Sequence, residues 1–391
     1  MHLFQHIPPY EHKCSLKLLS SLCSESCTTD LDIHPSLIRL AMQTVNRVLR
    51  RGRERTVALI QCLYDIAQTL QPDDSNFLVL FSASVKLTER VLTACRPLAP
   101  SQTATLHFIR TKISSLADTV LDASSLQFDD QFLQTYPDFP HNVSNYYRME
   151  VLNFLTHFRD VRIYGASKII GHDFLSPRIR NGDVILTFGA SASVGEALEV
   201  AARAGVVFRV IVVDSRPDGD GATAVERLTH LGVDVSFALV TGLSYVLADV
   251  STVILGCSGM LSNGAALGLC GTGTVALMAT SMKIPVIMVC ETYRFLLNSQ
   301  LDALSWNELG NPADLMVKEI PTSITSSRPF SKDQAVDLSG WRDNPNLDLL
   351  NLVYDVTPID CVSMVITEMG CIPATSVPQI IREVMDSISA K

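Results

Sequence analysis

The chain has 391 residues, of which 47% are hydrophobic and 18% charged, a balance that indicates well-packed cores and excludes an intrinsically disordered protein. Its formal net charge of -9 repels phosphate backbones, so no direct nucleic-acid partner is expected. The length favours two domains, preceded here by an N-terminal segment over residues 1–34.

No export signal is expected from the first residues of the N-terminal segment. Met1–Tyr10 lacks the apolar run that a signal peptide needs. Most of the ten cysteines lie in apolar stretches, which is typical of a reducing compartment, so we expect a cytosolic protein. Cys23 and Cys27 are a close pair, but no second Cys/His pair follows at zinc spacing, and no metal site is expected.

Residues 35–180 are predicted to form a helical domain, because apolar side chains recur there at helical spacing. Prolines and polar residues interrupt this pattern and separate the helices from one another. The predicted helices are Pro35–Arg50, Arg55–Leu70, Asn76–Ala94, Gln102–Leu121 and Val143–Ile170.

Residues 181–391 alternate short β-branched runs with amphipathic stretches, which predicts a Rossmann-like, doubly wound parallel sheet. The fold class is therefore α/β, with an N-terminal helical domain followed by the sheet domain. Ligand and partner sites in such sheets lie beyond the carboxyl ends of the strands. The predicted strands are Val184–Phe188, Arg209–Val213, Val235–Val240, Thr252–Leu255 and Val286–Val289, and the predicted helices are Val194–Ala204, Ala222–Leu231, Gly273–Met282 and Pro358–Met369.

Two further segments stand out by composition. Val250–Met282 has no charged residue and is long enough to span a bilayer. Its Gly, Ser, Thr and Asn residues break it into a strand, a loop and a helix, so we expect a buried part of the sheet and no membrane span. Ile320–Leu338 is polar and contains prolines, which predicts a surface loop.

Common enzyme motifs are incomplete in this chain. Gly189-Ala190-Ser191-Ala192-Ser193 resembles the nucleophile elbow of hydrolases, but the second glycine is missing and only His230 follows as a base. The dinucleotide fingerprint G-x-G-x-x-G does not follow the first predicted strand. We therefore predict neither hydrolysis nor a bound cofactor.

Arg55 and Arg96 are candidates for an anion site, because a guanidinium group binds phosphate or carboxylate with two parallel hydrogen bonds. The alternative is that both arginines are solvated or pair with local carboxylates.

Several segments resemble the family that unites methylthioribose-phosphate isomerase, ribose-bisphosphate isomerase and the alpha, beta and delta subunits of translation initiation factor two B. They are Leu186-Thr187-Phe188-Gly189-Ala190, Gly256-Cys257-Ser258-Gly259 and Asn263-Gly264-Ala265. The isomerases carry a catalytic cysteine in the first segment and a catalytic aspartate in the second, where this chain has Gly189 and Ser258. Because neither residue replaces an acid/base pair, the resemblance implies a non-catalytic protein. It also implies that Arg55, Arg96 and Asn263 form a vestigial anion site.

Within that family, the sequence of this chain resembles the delta-type members. The segments that carry this are Val212-Val213-Asp214-Ser215-Arg216-Pro217 and Asn351-Leu352-Val353-Tyr354-Asp355-Val356-Thr357-Pro358, although residues 1–34 lack the long charged extension typical of that branch. The resemblance implies a regulatory core of alpha, beta and delta subunits, with beta as the closest partner of this chain. That core holds the gamma and epsilon subunits, supports GDP/GTP exchange on initiation factor two, and senses phosphorylation of the alpha subunit of that factor.

Two contact sites are expected on this basis. The first, for the alpha subunit of initiation factor two, comprises Arg55, Asp160, Arg162, Tyr164 and Lys168. The second, for the beta subunit, is an apolar surface that comprises Tyr293, Phe295, Leu350, Tyr354 and Asp355. Two alternatives remain open: a sugar-phosphate or nucleotide binding protein or isomerase on the same scaffold, and a scaffold protein unrelated to translation.

Overall fold

The computed structural model describes residues 33–70, 77–123, 143–217, 219–304, 306–316, 340–344 and 346–389. Within these ranges, a run of helices precedes a mostly parallel sheet with helices on both faces, so the predicted α/β class is confirmed. Cys23, Cys27, Ile320–Leu338 and most of the N-terminal segment lie outside the described residues.

The helical region begins with helices whose first turns are capped by local side chains. The helices are α1 Pro35–Val45, α2 Gly52–Thr69, α3 Phe77–Cys95, α4 Pro100–Ala123 and α5 Val143–His157. The His34 side chain accepts a hydrogen bond from the Ser36 N–H at the start of α1. At the start of α2 the Glu54 side chain accepts from the backbone N–H of Arg51 at 3.4 Å, which is the glutamate half of a capping box. The first helix ends earlier than predicted, at Val45.

The helical backbone continues beyond α5 with a changed hydrogen-bond pattern. Phe158–Gly165 and Ile170–Leu175 are π-helical and flank a short helix, α6, over Ala166–Ile169. The predicted helix Val143–Ile170 is therefore α-helical without interruption only to His157. At Gly165, the last residue of the first π-helical stretch, a Cβ would lie 3.3 Å from the Asp160 carbonyl oxygen, a tight contact that glycine avoids. π-Helical turns are rare and often occur at functional sites.

Strands and helices then alternate as the β-branched pattern predicts. In chain order they are β1 Val184–Phe188, α7 Ala192–Arg203, β2 Arg209–Asp214, α8 Gly221–His230, β3 Asp234–Leu239, α9 Leu243–Val246, β4 Thr252–Gly256, β5 Gly259–Met260, β6 Ala266–Leu269, α10 Thr272–Ser281, β7 Val286–Val289, β8 Tyr354–Thr357, β9 Met364–Thr367, β10 Gly370–Ile372 and α11 Val377–Ser389. Among the described residues, the main sheet has the order β10-β9-β7-β4-β1-β2-β3, and β5, β6 and β8 form a smaller sheet. In the main sheet only β10 pairs antiparallel to its neighbour, within the part of the chain described.

The predicted helix Pro358–Met369 is wrong. A short 3-10 turn at Ile359–Cys361 leads into β9, which runs parallel to β7 in the main sheet. Its β-branched residues Val365, Ile366 and Thr367 favour a strand. The last helix is instead α11, whose buried residues Val377, Ile381 and Val384 recur at helical spacing.

The core of the helical region also receives side chains from the sheet region, among them Leu261, Tyr293 and Leu296. The charge-free stretch Val250–Met282 contributes β4, β5, β6 and α10 to the interior. Among the described residues, none of the helices has the length and apolarity that a bilayer crossing requires.

Candidate functional site

The carboxylate of Glu308 lies against the helical region and is surrounded by arginines. Arg96 Nε lies 2.6 Å from Glu308 Oε1, and Arg55 Nη1 lies 3.3 Å from Oε2. Arg47 Nη1 approaches Oε1 at 3.5 Å from a more exposed position. Arg55 and Glu308 are each 1% exposed and Arg96 is 6% exposed. These groups form a buried ion cluster whose acidic member follows Arg55 by 253 residues.

The helices and loops of the helical region determine the positions of the two buried arginines, Arg55 and Arg96. Arg55 lies in the first turns of α2, and its guanidinium also donates to the Pro97 carbonyl. Arg96 follows α3 directly, where its backbone N–H donates to the Leu92 carbonyl at 2.9 Å. Its Nη1 donates to the Leu49 carbonyl at 3.2 Å. Carbonyl oxygens and one carboxylate therefore fix the planes of the two guanidinium groups.

Glu308 is held by its own neighbours and by the start of β8. The Asn307 amide donates to the Tyr354 carbonyl at 2.8 Å, and the Tyr354 N–H donates back to Asn307 Oδ1 at 3.1 Å. Asn307 Oδ1 also accepts from the Glu308 N–H at 2.8 Å. A bridge between Leu309 and Leu352 continues the contact along the chain. The carboxylate is thus presented from a fixed backbone.

Burial governs the electrostatics of this cluster. The pKa of Arg55 is lowered by burial and by the neighbouring charge of Arg96, while Glu308 opposes the change. Burial raises the pKa of Tyr354 to about 12, with the Glu308 charge as the next cause. Arg55 Nε has no hydrogen-bond partner among the described residues. The positive charge here is therefore only partly compensated.

The structure corrects part of the predicted sites that included these arginines. It brings Arg55 and Arg96 together, as an anion site requires, but Glu308, which the sequence reasoning missed, supplies the anion. Asn263 accepts from the Ala265 N–H in its own loop and donates to the carbonyl of Gln300, 37 residues later, at 2.9 Å, so both ends of its amide already have protein partners. The predicted surface contact through Arg55 is wrong, because a side chain 1% exposed offers no surface to a partner protein.

A second buried network connects the carboxyl ends of β1, β4 and β7. Ser193 Oγ donates to Glu291 Oε1 at 2.6 Å, and Arg294 Nε lies 2.9 Å from Glu291 Oε2. Arg294 Nη1 donates to the carbonyl of Cys257, the residue after β4, at 3.0 Å. Burial lowers the pKa of Arg294, but Glu291 and Tyr293 outweigh burial and raise it overall. Both oxygens of Glu291 are therefore committed to partners.

Gly189 follows β1 and Ser258 follows β4, so both lie at the carboxyl ends of neighbouring parallel strands. Gly189 has φ 61°, a left-handed conformation that favours glycine. Ser258 is half-buried, and its backbone N–H donates to the Leu267 carbonyl at 2.7 Å. Among the residues described, no group of three or more His, Cys, Asp or Glu side chains is arranged to hold a metal ion.

Asp355, predicted at the subunit interface, caps α10. Its Oδ2 accepts from the N–H groups of Gly271 and Gly273 at 2.8 and 2.9 Å. Burial raises the pKa of Asp355 to about 6, although the two N–H groups oppose this change. Its Oδ1 is buried without a hydrogen-bond partner in the described part of the chain. This carboxylate supports the fold of the β6–α10 turn.

Asp355→Asn is expected to change how stability depends on pH. In the folded chain the pKa of Asp355 is about 6, against 3.8 ordinarily, so the folded state binds the proton more tightly than the unfolded state does. Protonation of Asp355 therefore stabilises the wild type at low pH, and this stabilisation is lost as the pH rises from about 4 to about 6. The free energy of unfolding of the variant minus that of the wild type then grows between about pH 4 and 6, by an amount on the order of 1 to 3 kcal/mol. Urea unfolding across this range measures the difference, and a constant difference contradicts the assignment.

The remaining predicted interface residues divide into core and surface. Tyr293 and Phe295 are fully buried and Tyr354 is 5% exposed, so these three are core residues and the prediction of an apolar contact surface there is wrong. Aromatic residues are frequent in both cores and interfaces, and sequence alone does not separate the two. Leu350 is 43% exposed and remains available at the surface.

An exposed apolar segment that the sequence reasoning missed lies next to these core residues in the chain. The leucine segment comprises Leu297, Leu301, Leu304 and Trp306, which are 48%, 88%, 40% and 36% exposed. The Trp306 ring stacks on Tyr354 with centroids 5.7 Å apart. The signal in the sequence was its leucine content directly after Phe295. Large exposed apolar side chains that cluster are typical of interaction sites.

The predicted partner helix lies at the surface and coincides with the first π-helical stretch and α6. Asp160, Tyr164 and Lys168 are exposed and Arg162 is half-buried. The guanidinium of Arg53, on α2, lies 4.9 Å from the centre of the Tyr164 ring. We call Asp160, Arg162, Tyr164, Lys168 and Arg53 the π-helix face. It combines an aromatic ring with both signs of charge.

The chain is thus an α/β protein in which a helical region packs on a mostly parallel sheet, with one buried ion cluster around Glu308 and another around Glu291. Residues 50–374 match the Initiation factor 2 subunit family, and the chain belongs to that family.

Individual relatives point the same way. The chain is 32% identical over 353 residues to "Translation initiation factor eIF2B subunit delta" of Schizosaccharomyces pombe, covering 90% of this chain and 69% of the relative. It is 29% identical to the protein of the same name from Dictyostelium discoideum, of which it spans 56%. A "Ribose 1,5-bisphosphate isomerase" of Pyrococcus furiosus is 27% identical over 56% of this chain.

Solved structures share the fold. A chain of the "tetrameric eIF2B-beta2-delta2 complex from C. thermophilum" superposes with a TM-score of 0.70 at 21% identity, covering 94% of this chain and 97% of that one. The eIF2B delta structure from Chaetomium thermophilum gives 0.61 at 20% identity, covering 86% of this chain and 98% of that one.

Proposed function

We propose that this chain is a non-catalytic regulatory subunit of an eIF2B complex in the cytosol. In that role it supports GDP/GTP exchange on initiation factor two and senses phosphorylation of the alpha subunit of that factor. The names of the delta relatives from two eukaryotes support this assignment. Exchange itself resides in the gamma and epsilon subunits.

The observation that carries the proposal is the buried network at the carboxyl edge of the sheet. An isomerase needs a free thiol or carboxylate there to move a proton. Gly189 and Ser258 stand at the places that the resemblance assigns to the catalytic cysteine and aspartate. Glu291 is engaged by Ser193 and Arg294 through both oxygens. The fold is retained, and its outer surfaces are available to bind partner proteins.

A second candidate function is sugar-phosphate binding or isomerisation, which the ribose-bisphosphate isomerase relatives favour. Arg55 and Arg96, the arginines that would bind the phosphate of such a ligand, already pair with Glu308, which argues against binding of a phosphate from solution. Purification of the tagged chain from its native cells tests the two functions together. Recovery with the other eIF2B subunits and no turnover of ribose 1,5-bisphosphate is expected, whereas steady turnover by the chain contradicts the proposal.

The π-helix face is proposed as the contact for the alpha subunit of initiation factor two. The Arg53 guanidinium lies against the Tyr164 ring, and Arg162 and Lys168 add positive charge from the same helical stretch as Tyr164. A phosphoryl group interacts strongly with clusters of basic side chains. Val161, 48% exposed, adds apolar surface beside them.

Tyr164→Ala and Lys168→Glu are expected to weaken binding of initiation factor two alpha at least about tenfold, since truncating an interface anchor costs 1.4 kcal/mol or more. Surface plasmon resonance on the assembled complex measures this affinity. Tyr245→Ala is the matched control, because Tyr245 is an 87% exposed tyrosine on α9, which follows the edge strand β3. Equal affinities for the Tyr164 and Tyr245 variants contradict the assignment.

The leucine segment, with Leu350, is proposed as the contact for the beta subunit. Leu301→Arg is expected to reduce recovery of co-expressed beta subunit to below about a tenth, because burying an unpaired charge in an apolar interface costs several kcal/mol. Val207→Arg, at a site 74% exposed before β2, is the control that retains pairing. Normal pairing of the Leu301 variant, by size-exclusion chromatography with light scattering, contradicts this placement.

A further inference from the structure

The ion cluster around Glu308 has more positive than negative charge. Among the described residues, Arg47, Arg55 and Arg96 contact the single carboxylate of Glu308. Arg55 and Arg96 are buried, and Arg55 Nε lacks a hydrogen-bond partner within the described ranges. Buried cations are costly without an anion, so this position selects strongly for negative charge.

The two halves of the cluster come from distant parts of the chain. Helices α2 and α3 position the guanidinium groups, whose planes are also fixed by the carbonyls of Pro97 and Leu49. The carboxylate arrives on a segment outside the helices and strands, held through Asn307 and Tyr354. The guanidinium groups of Arg55 and Arg96 therefore form a binding site for an oxyanion, and the Glu308 carboxylate occupies that site as a ligand would.

We infer that Arg55 and Arg96 form an oxyanion-binding site whose resident ligand is the carboxylate of Glu308, and that a small free carboxylate takes its place when that side chain is removed. The site needs no ligand from solution and no partner subunit, because the chain supplies the anion itself. The class of ligand that the emptied site accepts is a short aliphatic carboxylate.

The atoms removed by Glu308→Ala correspond to one acetate ion, since alanine retains Cβ. In chloride the melting temperature of this variant falls, and acetate at equal ionic strength raises it in a saturable manner. Propionate, one methylene longer, rescues Glu308→Ala less well. In Glu308→Gly, which also vacates Cβ, propionate rescues better than acetate. The wild type and the double variant Arg96→Ala/Glu308→Ala show no saturable response to either ion.

Differential scanning fluorimetry of the full chain measures these shifts, and recovery of folded protein from refolding in each salt covers variants that do not fold in chloride. A Glu308→Ala variant that melts as the wild type does overturns the inference. So does one that shows no more rescue by acetate than the double variant, or one that folds in neither salt. A saturable response of the wild type also overturns it, because the site is then open with Glu308 in place.

Discussion

Glu308→Gln is expected to lower the free energy of unfolding by about 3–5 kcal/mol, the usual effect of removing one charge from a buried ion pair. The amide keeps the shape of the side chain but leaves Arg55 and Arg96 buried without a compensating charge. Equilibrium unfolding in urea, followed by circular dichroism, measures the change.

The control for this prediction is Glu226→Gln on α8. Glu226 is exposed, and substitutions at such positions change stability by no more than about 0.5 kcal/mol. If both glutamine variants unfold at the same urea concentration, the Glu308 cluster does not stabilise the junction between the helices and the sheet region.

Tyr293→Ala is expected to lower the free energy of unfolding by about 3–5 kcal/mol, because it opens a cavity in a packed core. The Tyr293 ring is fully buried and contacts Phe158 edge-on, with centroids 6.3 Å apart. Its hydroxyl accepts from Arg294 Nε at 3.0 Å, which connects the core to the network at the carboxyl edge. Thermal unfolding of the isolated chain measures the effect.

Two further variants separate the ring from its hydroxyl and from the surface. Tyr293→Phe retains the ring and loses one hydrogen bond, so a smaller loss of about 0.5–1.5 kcal/mol is expected. Leu301→Ala, at a side chain 88% exposed, is expected to leave stability unchanged. A Tyr293→Ala chain as stable as Leu301→Ala contradicts the placement of Tyr293 in the core.

The parallel strands were the part of the fold that the sequence predicted best. The bounds of β1 and β7 match the predicted Val184–Phe188 and Val286–Val289, because central strands buried on both faces are continuous β-branched and aliphatic runs. The stretch Pro358–Met369 was predicted as a helix because its apolar residues fit either period. Pairing of β9 with β7, more than 70 residues earlier in the chain, decides for a strand.

The site was predicted less well, because the residues that form it lie far apart in the sequence. Arg55 and Arg96 were identified as an anion-binding pair, but no local pattern links them to Glu308, which lies 253 residues after Arg55. Tyr293 and Phe295 were assigned to an apolar contact surface on the basis of the family resemblance. Only the packing of the two regions against each other reveals that they are buried. Asp160, Tyr164 and Lys168 are exposed, and their spacing of four residues, which places them on one side of a helix, could be read from the sequence; their contact with a partner stays a prediction.

We propose that this chain acts through its surfaces in an exchange complex and does no chemistry of its own. The most direct measurement is the rate of GDP release from initiation factor two, catalysed by complexes reconstituted with the wild-type chain or with Tyr164→Ala/Lys168→Glu. Phosphorylated initiation factor two alpha is expected to slow exchange in the wild-type complex and to lose most of that effect in the variant complex. Identical inhibition in both complexes, or full regulated exchange when the chain is omitted, would contradict this account.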